Sequence, residues 1–221
     1  MAAELIRPIL TVDVVLLTLH DGRIHVVLQL REKAPHAGRL ALVGGYVHPE
    51  EDASTHVAAA RVLRDKAGLP VRVLEQLMTF SGGQRDPRGW SASIAYYALL
   101  PYEDFAARDE TSLKMLPLAE AKGLPFDHDA IVAAAIERCR RRAAYSSLPG
   151  FLLPSEFTLP ELRRAYEATL GRSLNDSAFR RKIDELRMIE QVAGSVSKAT
   201  ARPAQLFRLG KAGVVEFDRT V

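Results

Sequence analysis

Cysteine is almost absent from this sequence: the chain has one, Cys139, in 221 residues. A single thiol can neither form an intramolecular disulfide nor supply a cysteine-rich zinc site. The sequence also lacks any apolar run of the roughly 18 residues that a membrane-spanning helix needs. Its first residues show neither a basic segment nor a signal-peptide cleavage site. These absences argue against a disulfide-rich secreted domain and predict a cytoplasmic protein without a membrane span.

Neither sign of charge dominates, because 30 Lys and Arg stand against 27 Asp and Glu, for a formal net charge of +3. Residues 1–149 carry 18 side chains of each sign, whereas residues 150–221 carry 12 basic and 9 acidic ones. The whole positive excess therefore lies in the C-terminal third. It indicates an acidic partner such as DNA for that end, the alternative being a basic surface that only aids solubility. The length is sufficient for two globular domains.

A glycine pair, Gly44-Gly45, organises the first two thirds of the sequence. Before it come a predicted β-hairpin with its turn at Asp21-Gly22, then Arg31, then a short predicted strand at 40–43. After it come an acidic loop and an alanine-rich helix that is predicted to end at Gly68. Taken alone, this pattern also describes an ordinary turn before an amphipathic helix, with Arg31 at a solvated strand end.

The stretch GGYVHPEEDASTHVAAARVLRDKAGL resembles the Nudix box, in which carboxylates hold a divalent cation against a pyrophosphate. In the matching frame, Val62 and Lys66 stand where the family has carboxylates. Two weak candidates for metal ligands remain, Glu51 and Asp65, and two extra residues separate Glu51 from Arg61. Because Val62 offers no oxygen and Lys66 is itself a cation, the resemblance implies a binding site without metal and without hydrolysis.

Further candidate ligand-binding residues lie outside the box. Residues 80–90 form a predicted loop that combines three glycines with Arg85 and Arg88, whose guanidinium groups can bind a phosphate in a bidentate manner. Asp127 is predicted to cap a helix at His128, which is either a ligand contact or a capping or surface residue. The full predicted ligand-binding set is Arg31, Gly44, Gly45, Lys66, Arg85, Arg88 and His128.

The sequence changes character within residues 145–154, where Ser, Pro and Gly indicate a domain boundary. Two predicted helices follow, one from Thr158 to Gly171 and one over residues 177–186, and then two strands that flank a basic loop. This is the element order of a winged helix, which sets its second helix in the major groove. The predicted DNA-binding residues are Ser177, Arg180, Arg181, Lys182, Lys198 and Arg202. The alternative for residues 180–182 is a solvated helix face.

The order of these segments resembles one family, the NrtR-type regulators, in which a Nudix-related domain precedes a winged helix. Besides the box, the resemblance is carried by RDPRGWSASIAYYAL, LPFDHDAIV, FLLPSEFTLPELRRAYEATLGRSLNDSAFRRKI and RPAQLFRL. It implies an α+β fold, with a Nudix-like αβα sandwich over residues 1–148 followed by a winged-helix DNA-binding domain over residues 149–221. It also implies a repressor of NAD-metabolism genes that needs no cofactor and is released from double-stranded operator DNA by ADP-ribose or a related nucleotide.

A homodimer on a pseudo-palindromic operator is expected, because one winged helix reads too few base pairs for a genomic search. Two alternatives remain open at this point. One is an active ADP-ribose pyrophosphatase whose C-terminal end is only an interaction module, and the other is a sugar-responsive regulator on the same scaffold. The sequence departs from the family pattern at Val43, often Pro, and at residues 175–178, which are less basic than is common.

Overall fold

In the computed structural model of this protein, residues 7–69, 71–107, 112–197, 204–218 and 220–221 are described, with the backbone alone for 194–197. The chain begins with the predicted hairpin. Strands β1 (Ile9–His20) and β2 (Arg23–Leu30) pair antiparallel around Asp21 and Gly22, which both have positive φ. This is the backbone conformation that an Asp-Gly turn favours.

Strand β1 is the centre of a mixed sheet. The other strands of this sheet are β3 (Leu40–Ala41), β4 (Val43–Tyr46), β5 (Val73–Gly82), β6 (Ser91–Leu99) and β7 (Leu113–Pro117). Its order is β3-β2-β1-β6-β5, with β4 also paired to β1 and β7 to β2. Strand β6 runs parallel to β1, whereas β2 and β4 run antiparallel to it.

Side chains of β1 alternate between two apolar layers, as the period of a strand requires. Val14 packs in the layer of helix α1 (Thr55–Val62), and Val15 packs in the layer of helix α3 (His128–Ala143). A short helix, α2 (Tyr102–Ala106), follows β6. The predicted αβα sandwich is therefore confirmed.

The glycine pair lies inside a strand, not in a turn before a helix as its sequence also allowed. The predicted strand at 40–43 is divided at Leu42 into β3 and β4; β4 carries both glycines, and Gly44 pairs with Asp13 of β1. A Cβ at position 44 would overlap Asp13 Oδ1, so glycine is required there by close approach. The box helix α1 continues in a π-helical turn (Leu63–Ala67) and ends at Gly68, whose φ is 55°. The predicted helix end is confirmed.

The C-terminal part is the predicted winged helix. Its elements are β8 (Phe157–Thr158), α4 (Leu159–Leu170), α5 (Asp176–Leu186), β9 (Ile189–Ser197) and β10 (Ala204–Leu209), and the strands form a sheet in the order β8-β10-β9. Thr158 and Glu161 form a capping box at the start of α4, and Gly171 ends that helix. A separate apolar core, which includes Phe157, Tyr166 and Ile183, holds the domain together.

A 3-10 turn (Leu148–Leu152) joins the two parts of the chain. Phe151 in this turn packs into the core of the sandwich, whereas Leu153 packs into the winged helix. The C-terminal segment returns to the same junction, where Phe217 N–H donates to Tyr145 O at 2.7 Å. No helix in the described part of the chain is long and apolar enough to cross a membrane.

Candidate functional site

A cavity of about 410 Å³ opens at the edge of the sandwich where the glycine pair, the β5–β6 loop and the start of α3 meet. All seven residues of the predicted ligand-binding set line it: Arg31, Gly44, Gly45, Lys66, Arg85, Arg88 and His128. They come from segments that are far apart in the sequence. Their convergence on one cavity is a finding of the structure, whereas their contact with a ligand stays a prediction.

The walls of this cavity carry more positive than negative charge. Five cationic side chains line it, Arg31, Lys33, Lys66, Arg85 and Arg88, against three carboxylates, Asp13, Glu32 and Asp86. With His128 neutral, two positive charges are in excess. A cavity with this charge favours an anionic ligand.

Arg85 is held by protein groups on every side of its guanidinium. It donates to both carboxylate oxygens of Asp127, at 3.0 and 2.8 Å, and to Ser91 Oγ at 3.1 Å, and it lies 3.6 Å from Asp13. Asp127 is the N-cap residue of α3, as predicted, but its side chain makes no capping hydrogen bond. The bidentate pair with Arg85 engages the carboxylate instead.

Arg88 is also paired, although it is more exposed than Arg85. It donates to Asp86 through Nε at 2.9 Å and Nη2 at 2.6 Å, and Nη1 donates to the Tyr46 hydroxyl. The bonds from Arg88 lower the pKa of the Asp86 carboxyl and raise that of Arg88 itself. The guanidinium carbon lies 5.4 Å from the centre of the Tyr46 ring. This contact closes the β5–β6 loop against β4 at one side of the cavity.

Arg31 and Lys66 differ from these two arginines, because the ion pairs found among the described residues include neither of them. Arg31 donates to the carbonyl oxygens of Pro35, at 2.9 Å, and Lys33, and Lys66 Nζ donates to the carbonyl of Gly44. Desolvation by the cavity wall lowers the pKa of both groups; the charge of Arg31 further lowers that of Lys66. Arg31 and Lys66, like Lys33, thus line the cavity without an ion-pair partner among the described residues.

His128 is buried, with 2% of its surface exposed, so it is not the surface residue that its sequence position also allowed. Its Nδ1 accepts a hydrogen bond from Leu42 N–H at 3.0 Å, and its Nε2 lies 3.6 Å from Asp13 Oδ1. Burial lowers the pKa of the imidazole. A neutral ring that accepts at Nδ1 carries its proton on Nε2, which points toward Asp13.

The box helix does not present a metal site. Glu51 lies beside His48 and Asp65 is bonded to Arg64, and neither carboxylate lines the cavity. Val62 is buried against Gly45, where it offers no oxygen. Within the described ranges, no group of three or more His, Cys, Asp or Glu side chains could hold a metal ion. The ammonium of Lys66 at the Gly44 carbonyl does not fit a divalent cation beside it, because the two positive charges would repel.

Arg61 of the box helix pairs with Asp52. Arg61 donates to both oxygens of Asp52, at 2.8 and 2.7 Å, and this bond lowers the pKa of the carboxyl to about 2. Sequence reasoning named Glu51 only as a weak candidate for a metal ligand and did not single out Asp52. It also missed Asp13 on β1 and Phe126, over whose ring Arg31 lies at 4.9 Å. The one available signal for Phe126 was its position two residues before His128.

Helix α5 presents the predicted DNA-binding residues. Ser177, Arg180 and Arg181 are exposed and Lys182 is half-buried, while Phe179 and Ile183 hold the opposite side of the helix in the core. Within the described ranges, the ion-pair partner of Arg181 is Glu185, at 3.9 Å. Asn175 caps the helix by accepting a bond from Ala178 N–H at 3.0 Å. Lys198 and Arg202, predicted at the tip of the wing, lie outside the described residues.

A sandwich with a cation-rich cavity, joined to a winged helix with an exposed second helix, defines a two-domain regulator that combines ligand binding with DNA binding. Two family models match the chain: the NUDIX domain over residues 7–139 and the NrtR DNA-binding winged helix domain over residues 149–209. The chain belongs to the NrtR family of Nudix-related transcriptional regulators.

Similar proteins agree with this assignment. The "ADPR responsive transcriptional repressor NtrR" of Acinetobacter baylyi is 34% identical over 205 residues, which cover 91% of this chain and 82% of that protein. The crystal structure of Shewanella oneidensis NrtR complexed with a 27mer DNA is 35% identical with a TM-score of 0.87, covering 96% of this chain and 99% of that one. The NUDIX domain of the Shewanella protein, complexed with ADP ribose, is 34% identical with a TM-score of 0.55, covering 61% of this chain and 90% of that one.

Proposed function

We propose that this protein is a transcriptional repressor that binds double-stranded operator DNA through its winged helix and is released by ADP-ribose or a related nucleotide. The observation that carries the proposal is that Arg31 and Lys66 line the cavity and have no ion-pair partner in the part of the chain that the structure describes. The Acinetobacter relative is named as responsive to ADPR, and the Shewanella NUDIX domain binds ADP ribose in its crystal structure. NAD-metabolism genes are the expected targets of the repressor.

The charge of the cavity suits a pyrophosphate. A pyrophosphate diester carries two negative charges at neutral pH, which equals the excess of positive side chains on the walls. Arg31 and Lys66 are the groups we assign to these charges, because Arg85 and Arg88 are already paired with Asp127 and Asp86. The nucleotide then relieves the unfavourable interaction between the two cations, so its binding requires no metal ion.

A homodimer completes the proposal. A single winged helix contacts one half-site, and two-fold symmetric proteins read two-fold symmetric operators. Helix α5 is the element we assign to the major groove, with Arg180, Arg181 and Lys182 as its cations.

We expect no hydrolysis of ADP-ribose or NADH by this protein, because Val62 and Lys66 replace the carboxylates that would hold a catalytic metal ion. Product formation with Mg²⁺ or Mn²⁺, followed by chromatography, checks this expectation. A slow turnover that depends on the metal and disappears in Glu51→Gln would instead support the alternative function, an active pyrophosphatase.

The experiment that tests the proposal is a gel-shift titration with the DNA upstream of the protein's own operon, with and without ADP-ribose. We expect a complex with DNA that ADP-ribose dissociates, and we expect the same dissociation when EDTA is present. A complex that ADP-ribose does not dissociate, but a sugar or sugar phosphate does, would favour the sugar-responsive alternative. Absence of any complex with DNA would refute the assignment of the winged helix.

A further inference from the structure

A second cavity, of about 440 Å³, lies between the two domains and is distinct from the nucleotide cavity. The β1–β2 hairpin and α3 of the sandwich form one side, the 3-10 turn forms the end, and α4 of the winged helix forms the other side. Its volume lies within the range of roughly 300–1,000 Å³ that is usual for small-molecule sites. No residue of the predicted ligand-binding set lines it.

The interior of this interdomain cavity is apolar. Its lining includes Leu17, Leu99, Leu148 and Leu152, all at most 3% exposed, and Cys139. Burial raises the pKa of the Cys139 thiol to about 12, so this group is a neutral, weakly polar part of the wall. The hydroxyl of Thr169 donates to Ala165 O at 2.8 Å, which satisfies its one donor within α4. Such walls favour an alkyl or aromatic body.

The rim of the interdomain cavity carries charge. Arg23 and Arg140 line it together with one carboxylate, Glu120, and all three residues are exposed. Arg23 belongs to none of the ion pairs found among the described residues. Among the described residues the ion-pair partner of Arg140 is Glu137, at 3.7 Å, and Glu137 accepts a shorter bond of 2.7 Å from Arg141. The rim therefore offers a guanidinium to an anion, with a net excess of one positive charge.

We propose that the interdomain cavity binds a small amphipathic carboxylate, with its apolar body between the hairpin and α4 and its carboxylate at Arg23. The apolar interior and the cationic rim match the two ends of such a molecule. A neutral apolar molecule would make no use of the Arg23 guanidinium, and a highly charged nucleotide would place its charges among leucines at a large desolvation cost. This site is independent of the proposed nucleotide site.

Decanoate, used below the concentration at which it forms micelles, is a suitable probe. Calorimetry on the full chain is expected to show one saturable site for decanoate and much weaker binding of the neutral analogue decanamide. Arg23→Gln should weaken decanoate binding by about tenfold, because the carboxylate loses its charge-assisted hydrogen bonds to the guanidinium. Decanamide binding should be unchanged in the same variant. Equal affinity of decanoate for the parent and Arg23→Gln would overturn the placement of the carboxylate.

A second variant tests the location of the apolar body. Ala168→Phe places a ring from α4 into the cavity and is expected to abolish decanoate binding, whereas Ala133→Phe, on the exposed side of α3, should leave it unchanged. ADP-ribose binding should persist in all these variants, which separates the failure of this site from failure of the proposed function. No saturable decanoate binding by the parent, or undiminished binding by a folded Ala168→Phe protein, would refute the proposal. If Ala168→Phe does not fold, the Arg23→Gln comparison decides.

Discussion

At the scale of single residues, Lys66 is the position where this chain departs most from a metal-dependent site. Its ammonium donates to the Gly44 carbonyl and lines the cavity. The positive charge is thus part of the polypeptide, which is the reason that the proposed nucleotide binding is expected to need no metal ion.

Lys66→Met should weaken ADP-ribose binding by about tenfold or more, because a hydrogen bond to a charged group contributes about 1.5–3 kcal/mol. Calorimetry in EDTA measures this, with Lys122→Met, an exposed lysine away from the cavity, as the matched control. The melting temperature of both variants should stay near that of the parent. A Lys66→Met protein with parental affinity would remove Lys66 from the site.

The lowered pKa of Lys66 also predicts a pH dependence. Only the protonated ammonium attracts the pyrophosphate, so affinity should decline as the pH rises above neutrality through the lowered pKa of Lys66. Lys66→Arg should flatten this decline, since a guanidinium stays protonated throughout the range. Calorimetry at a series of alkaline pH values checks the result. The same decline in both proteins would assign the titration to another group.

At the scale of elements, helix α5 separates a packed side from an exposed side. Phe179 and Ile183 hold it against the winged-helix core, and this leaves Arg180 and Arg181 exposed to an approaching DNA backbone. The side chain of Arg181 is 78% exposed, so its contact with Glu185 contributes little to stability. Replacing Arg181 should therefore change DNA binding and not folding.

Arg181→Ala should weaken operator binding and reduce the slope of log affinity against log salt by about one, as expected when one phosphate contact is lost. Fluorescence anisotropy at several salt concentrations measures both quantities. Arg64→Ala, at an exposed position of the Nudix-like sandwich, is the control and should bind the operator like the parent. If Arg181→Ala keeps the parental slope, α5 does not contact the phosphates through this residue.

At the scale of the whole molecule, helix α3 connects the nucleotide cavity to the junction with the winged helix. His128 at its first position lines the cavity. Near its other end, Arg142 bonds to Glu75, to the Tyr97 hydroxyl at 2.9 Å and to Glu216 of the C-terminal segment at 3.1 Å. One helix thus contacts both the site of the proposed effector and the returning end of the DNA-binding part.

Lys66→Met should behave as a repressor that no longer responds. It should bind the operator like the parent, since α5 is unchanged, but stay bound at ADP-ribose concentrations that release the parent, because a ligand shifts an equilibrium only through unequal binding to its two states. Gel shifts with increasing ADP-ribose check this. Arg181→Ala should show the converse pattern, with weaker operator binding and parental ADP-ribose binding. Release of Lys66→Met at the parental concentration would separate this cavity from control of DNA binding.

The sequence by itself determined the elements and their order, because their signals are local. Each of these signals acts within a few residues of itself. They are the Asp-Gly turn, Gly68 after the π-helical turn, Gly171 after α4, and the cap of α5 at Asn175. The loss of the box carboxylates can also be read from the sequence alone, since the side chain of Val62 has no oxygen in any fold. These features allowed the family, and with it the two-domain arrangement, to be predicted.

Only the tertiary structure decided which charged groups are free. In the sequence Arg85 and Arg31 are equally good candidates for binding an anion. In the fold Arg85 is bonded to Asp127, which lies 42 residues further along the chain. The sequence offered Glu51 as a weak candidate for a metal ligand, whereas the acid that the fold pairs with Arg61 is Asp52. A charge acts through the partners within a few ångströms of it, and those partners are brought together by strand pairing and packing, not by spacing along the chain.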